Sequence, residues 1–336
     1  MLLEVRDLVV DLYTPAGVRR VVDGGAFALD EGESLGVVGE SGSGKTMTAL
    51  ALMGLTPQSA RVSGSIRLEG RELIGLDEES MRGLRGNRIA MVFQEPMTAL
   101  NPLHRVGAQV AEPLMLHRGM SKKAALATAA RLLEHVRLAE PERAARSYPF
   151  ALSGGERQRA MIAMAIGCSP RVVIADEPTT ALDVTVQARI LKLIDGLRAE
   201  SKMALLLVSH DLAVVAGHCD RVIVMYAGVI MESGPVEAVL RDPRNPYTRA
   251  LLEARPQPGA PLGARLKTIP GAPPDGGARA VGCPFAGRCA LTIDICTTAA
   301  PPQVAFGPDR LSRCHRAGEW ASRHPADNTS QYQDDS

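Results

Sequence analysis

Residues 39–46 read GESGSGKT, with the apolar run LGVV before them and a stretch of helical spacing, 46–55, after them. An apolar strand, a glycine-rich loop and a helix, in that order, fit the pattern G-x-x-x-x-G-K-[ST]. Gly39, Gly42 and Gly44 leave the backbone bare, so N–H groups along Ser41, Ser43 and the helix start can point at phosphate. Lys45 would neutralise the β- and γ-phosphates, and the Thr46 hydroxyl would bind Mg²⁺. A glycine turn without a ligand is the plainer alternative, and the strand–loop–helix setting speaks against it. Alone, the motif establishes a nucleoside triphosphate site and nothing narrower.

Outward from the loop, apolar runs bounded by glycine predict strands at 2–10, 21–29, 34–38, 66–68, 89–93, 172–175, 205–208 and 222–225. Helical spacing predicts helices at 122–136, 156–168, 184–200 and 211–217. Strands alternating with helices imply an α/β fold, a mainly parallel sheet covered on both faces. About 96–165 lacks strands and is expected to be a helical insert within a nucleotide-binding domain of residues 1–255. Residues 256–277 are dense in proline and glycine, and open a linker and cysteine-rich C-terminal module over 256–327. A polar tail, 328–336, is expected to be disordered.

Composition narrows the class. With aromatics at only 3%, the core must be aliphatic. The 38 basic and 37 acidic residues nearly cancel, and no basic stripe interleaved with aromatics appears, so a nucleic-acid partner is not expected. Glu4, Arg6 and Asp7 stand where a signal peptide needs an apolar core, and no run of 18 apolar residues occurs. A reducing, cytosolic setting follows as the expectation, which disfavours disulfides.

Two further stretches carry chemistry. Residues 172–177, VVIADE, form an apolar strand ending in two acids. At the strand tip Asp176 could hold Mg²⁺ through water, leaving Glu177 to polarise an attacking water as general base. Two solvated acids at a strand end are the plainer alternative. Residues 152–158, LSGGERQ, place Ser153 and Glu156 at the spacing of a capping box. That box does not need Gly154 and Gly155, which would let a second phosphate approach a dipole-positive helix end.

Taken in order, GESGSGKT, Gln94 in MVFQEP, LSGGERQ, VVIADEP, ALD at 181–183 and His210 in VSHD closely resemble the ABC ATPase family over roughly residues 1–240. The resemblance implies a P-loop ABC cassette with an N-terminal antiparallel β part, and a head-to-tail dimer. Nucleotide on one phosphate loop is then closed over by LSGGERQ of a second ABC ATPase subunit, sister or self. By the same resemblance Gln94 senses the γ-phosphate and Mg²⁺, His210 contacts the γ-phosphate, and Asp183 bridges the subunits. An aromatic residue that stacks on the base is expected upstream of the loop; Tyr13 is the candidate, with Arg19 or Arg20 as replacements.

Only 58 residues separate Gln94 from Ser153, too few for a coiled-coil arm, and no second phosphate loop is present. EPMTALNP (95–102), NPYTRALL (245–252), IPGAPP (269–274) and GCPFAGRC (282–289) look like the dipeptide/oligopeptide/nickel importer branch, Asn245 being a mild departure from its usual HPY. That branch pairs two ATPase subunits with two transmembrane permeases and an extracytoplasmic substrate-binding protein, the ATPases lying peripherally on the cytoplasmic face of the inner membrane. ATP hydrolysis would then energise import of peptides or related small solutes. The competing class is a soluble regulatory ABC ATPase with a metal-sensing tail and no permease.

Four of six cysteines crowd the tail as C-x5-C-x6-C-x17-C: Cys283, Cys289, Cys296 and Cys314. Four thiolates suit tetrahedral Zn²⁺ or a [4Fe–4S] cluster, and the spacings alone do not separate them from unrelated buried cysteines. The importer resemblance tilts the choice toward the cluster, while His315 keeps a Cys₃His zinc site open. Either metal would staple a stretch that has little core of its own.

Overall fold

The computed structural model describes residues 1–180, 182–255, 268–274 and 281–319. Ala181, most of the proline/glycine-rich stretch and the tail from 320 onward, including the expected disordered end, lie outside the described residues. Two sheets share the chain. The smaller one is antiparallel, in the order β2 (Gly17–Leu29), β1 (Leu3–Thr14), β4 (Ala60–Leu68) and β5 (Arg71–Glu72). The larger orders β11 (Gln303–Ala305), β12 (Leu311–Arg313), β10 (Val229–Pro235), β9 (Arg221–Tyr226), β3 (Ser34–Val38), β8 (Ala204–Ser209), β7 (Val172–Asp176) and β6 (Ile89–Val92). From β9 to β6 every neighbour pair is parallel; β10, β12 and β11 add on antiparallel.

The parallel strands are buried along almost their whole length, as SLGVV, VVIAD and ALLLVS show, because both faces are covered and no polar alternation is needed. One face packs on α1 (Lys45–Leu52) and the small sheet, joining Leu35, Val37, Ile174 and Leu206 to Leu3, Leu8 and Leu52 in one aliphatic core. The other face packs on α7 (Gly154–Ile166) and α8 (Val184–Ser201). Between β6 and β7 the described chain is helical: α3 (Pro96–Ala99), α4 (Val106–Arg118), α5 (Lys122–His135), α6 (Pro141–Arg146), then α7. Ahead of β6 lies α2 (Glu78–Leu84), and α9 (Leu212–His218), α10 (Val236–Arg241), α11 (Pro246–Glu253) and α12 (Asp294–Thr298) complete the order.

The described residues of the tail are joined to the cassette by strand pairing and side-chain contacts. They complete the large sheet, since β12 pairs with β10 through Glu232↔Ser312 and Ser233↔Leu311. Behind that seam Arg310 donates to Glu232 at 2.9 Å, with Glu232 only 1% exposed. Asn245 caps α11 by accepting from the Tyr247 amide at 2.9 Å, and its side-chain nitrogen donates to the Arg313 carbonyl at 2.9 Å. The physical reason is burial: Phe285 packs against Tyr226 and Tyr247 in a third apolar core, with ring centroids 5.2 Å from each.

Candidate functional site

The phosphate loop runs from the end of β3 into α1. Gly39 has φ 155°, and a methyl there would sit 2.1 Å from the Met225 carbonyl oxygen; Gly44, at φ 98°, would place one 2.5 Å from that of Val21. Both therefore must be glycine for the loop to lie between β9 and β2. Lys45 is buried and donates to the carbonyls of Gly39 at 2.8 Å and Glu40 at 3.0 Å. Burial pushes its pKa down against the pull of Glu177, Asp176 and Glu40.

The end of β7 delivers the acids to this loop. Thr46 Oγ1 donates to Asp176 Oδ1 at 3.2 Å, joining residues 130 apart in sequence. Burial raises the pKa of Asp176; the Thr46 bond opposes that, Glu177 adds to it and Lys45 opposes it. Glu177 has φ 44°, a left-handed conformation that costs a non-glycine residue of order 1–3 kcal/mol and that clusters at functional sites. Its amide is held by the Val208 carbonyl at 2.9 Å, so the sheet itself maintains the twist. Glu177 Oε2 accepts from Gln94 Nε2 at 3.4 Å and from Thr180 Oγ1 at 2.9 Å, and meets His210 Nδ1 at 3.1 Å. Lys45, Thr46, Gln94, Asp176, Glu177 and His210 thus stand around one point. Thr180 joins them without any spacing signal that could have announced it.

The remaining candidates sit elsewhere. Ser153 and Glu156 form the expected capping box on α7. Gly155 also has a packing role that sequence reasoning missed: a methyl there would be 3.0 Å from Val186 Cγ1, whereas one on Gly154 would reach only ordinary contact, 3.4 Å from Leu182 Cδ2. Asp183 caps α8, accepting from the Val186 amide at 3.0 Å. Tyr13 is half exposed and pairs with Val18, three residues along β2 from the Val21 that faces Gly44. Arg20 is occupied by Asp11 at 2.8 Å and Asp23 at 3.2 Å, which hold its pKa up.

Cys283, Cys289, Cys296 and Cys314 line one cavity together with Phe285, Leu291 and His315. The Cys283 amide donates to the Cys296 carbonyl at 2.7 Å, and the amides of Leu291 and Arg316 donate to the sulfurs of Cys289 and Cys314 at 3.4 Å. Burial, then the neighbouring thiols, pushes Cys283 up to about 11. His315 Nε2 is 3.0 Å from the Ala299 carbonyl. Among the described residues no three His, Cys, Asp or Glu side chains stand at metal-holding spacing, so the cysteines converge without forming a finished site. Cys168 is a buried core residue, and burial pushes Cys219 up to about 12.

A phosphate loop at the head of a parallel sheet, acids at the tip of a strand two places along and a capped LSGG helix define an ABC-type ATPase cassette. Residues 22–180 match the ABC transporter family, and residues 231–296 match the oligopeptide/dipeptide transporter C-terminal region. A dimeric ATP-binding cassette in a post-hydrolysis state, bound to ADP and Pi, superimposes with a TM-score of 0.63 at 27% identity, covering 70% of this chain and 99% of that one. The oligopeptide transport ATP-binding protein OppD of Salmonella typhimurium is 49% identical over 95% of both chains. Its Escherichia coli namesake is 48% identical over 95% of this chain and 94% of that protein. The chain belongs to the ATP-binding subunits of the oligopeptide/dipeptide ABC transporters. It is an ATP-hydrolysing subunit that energises a transporter of this kind. Among the described residues no helix is long and apolar enough to cross a membrane.

Proposed function

We propose that this subunit binds MgATP on residues 39–46 and completes each site with the LSGG segment of a second cassette. Closure of that dimer then drives peptide uptake through two permeases fed by an extracytoplasmic binding protein. Oligopeptides are what the named relatives transport, and this chain matches 95% and 94% of their lengths. On that reading the chain sits peripherally on the cytoplasmic membrane face. A soluble regulatory ATPase is disfavoured, because the relatives are transport subunits.

The observation that carries the chemistry is the Glu177 hub, where Gln94, Thr180 and His210 converge on a strained carboxylate beside Lys45 and the Thr46–Asp176 pair. Glu177 polarises the attacking water, Gln94 and His210 orient it toward the γ-phosphate, and Thr180 holds the carboxylate in place. Mg²⁺, held by Thr46 and reached from Asp176 through water, would neutralise charge on the β- and γ-oxygens. Coupling requires that ATP favour the closed dimer over the open one. Ser153, Gly154 and Gly155 meet the partner's nucleotide, Asp183 bridges the subunits, and Tyr13 stacks on the base. Glu177→Gln tests the hub: turnover should fall about 10²- to 10⁴-fold while an ATP-bound dimer accumulates. Near-normal hydrolysis would refute the assignment.

For the tail we propose a thiolate-bound metal centre, a [4Fe–4S] cluster ahead of zinc. Its support is the convergence of four cysteines on one cavity with backbone amides directed at two of the sulfurs. With Nε2 on the Ala299 carbonyl, His315 has Nδ1 left to ligate, so a Cys₃His zinc site is the alternative. A bound metal would hold the thiols deprotonated and tie the loops that carry them.

A further inference from the structure

Glu40, the second residue of the phosphate loop, brings a negative charge to a place built for triphosphate. The structure shows what controls it. Arg288, 248 residues away in the cysteine-rich stretch, grips the Glu40 carboxylate with both arms, Nη1 to Oε2 at 2.6 Å and Nη2 to Oε1 at 3.0 Å. The Arg288 side chain is only 7% exposed. Its other donors are spent locally: Nε on the Pro270 carbonyl at 2.8 Å, Nη1 also on Tyr226 Oη at 3.2 Å, and Nη2 on the Ile269 carbonyl at 3.4 Å. The guanidinium also lies 5.7 Å from the Tyr226 ring centroid. A planar fork with this many fixed partners is aimed, not merely nearby.

The backbone of Glu40 is held as well. Its amide donates to Tyr247 Oη at 3.0 Å, and its carbonyl accepts from the Ser43 amide at 3.2 Å and from Lys45 at 3.0 Å. Lys45 therefore touches the backbone of a residue whose carboxylate also pulls on it, after Glu177 and Asp176. A Glu40 carboxylate freed to turn inward would pair with Lys45 and compete with the γ-phosphate, or face the phosphates and repel them.

We propose that Arg288 is a positioning residue for ATP binding, which holds the Glu40 carboxylate away from Lys45 and the triphosphate and keeps the first turn of the loop open to phosphate. This rests on the reading that residues 39–46 bind the triphosphate. A residue that merely stapled the tail to the cassette would affect stability, whereas shielding of a charge makes a different demand: removing Glu40's charge must remove the need for Arg288.

The test uses the full chain, with ATP titrations and steady-state kinetics. Arg288→Gln should raise Kd and KM for ATP about tenfold, with kcat within about twofold of the unsubstituted protein. The Glu40→Gln/Arg288→Gln double variant should return to the affinity of Glu40→Gln alone. Arg288→Lys, which keeps the charge and loses the fork, should fall between and covers the case in which Arg288→Gln does not fold. An unchanged KM in Arg288→Gln, or a double variant as weak as Arg288→Gln, overturns the proposal. Lys45→Ala separates the two layers. If it binds ATP normally, the phosphate-loop reading itself has failed; if it loses ATP while Arg288→Gln binds normally, only the role of Arg288 has.

Discussion

Adding a single methyl group at Gly44 should damage this protein before any nucleotide is present, and the same methyl at Gly42 should be far milder. Gly44 lies at φ 98°, where an added Cβ would be 2.5 Å from the Val21 carbonyl oxygen, 3.4 Å from Gly228 Cα and 3.5 Å from Met225 Cε. Ordinary carbon–oxygen contacts begin at roughly 3.3 Å, so β2 or the loop must yield by most of an ångström. Backbone strain of about 1–3 kcal/mol adds to an overpacking cost of about 1–3 kcal/mol. Gly42 lies at φ 77° with nothing within 4 Å of its added Cβ, which leaves strain as the only cost. That amounts to about 1–2 kcal/mol.

Urea unfolding of the nucleotide-free protein reads the difference directly. Gly44→Ala should unfold at a clearly lower urea midpoint than Gly42→Ala, with similar slopes, because the folded surface is unchanged. ATP affinity should fall with it, since Gly44 immediately precedes Lys45 and opens α1. Equal midpoints would refute the claim that the close approach of β2, rather than left-handed geometry alone, demands glycine here.

Two further outcomes are expected. Gly155→Ala should lose about 1 kcal/mol to the contact with Val186, and Val186→Ala in the same chain should recover part of that loss; no recovery in a thermal unfolding comparison would refute the packing role. Prepared without oxidant, the chain should be brown and contain iron, with Cys314→Ser losing both; zinc in place of iron would reject the cluster, and a protein holding neither would reject the metal centre.

The phosphate loop, β3, α1 and the two acids of β7 were legible because each is set by neighbours in sequence: an apolar run, glycines at fixed offsets, a charged strand tip. The small sheet was legible only in part. β4 begins at Ala60, well before Ile66: Ala60 and Val62 alternate inward but stay half-buried, and the period breaks at Gly64, where pairing with β1 is irregular. β10 and β12 carry Glu232, Pro235 and Ser312, and become strands through each other and through the buried Arg310–Glu232 pair. No local pattern foretells Arg288 on Glu40, since that contact exists only once the chain has folded across a separation of 248 positions. Gly155 showed the opposite difficulty, since phosphate approach and the nearness of Val186 call for the same residue.

Phe285 completes a ring trio whose other members, Tyr226 and Tyr247, come from β9 and α11. Exchanging this end of the chain between relatives is therefore a transplant into a shaped socket. A donor tail lacking a ring at Phe285, or an arginine to answer Glu40, would leave the recipient with an unseated aromatic gap and a loose acid in its nucleotide loop. A chimera joined in the glycine- and proline-dense stretch inherits both obligations.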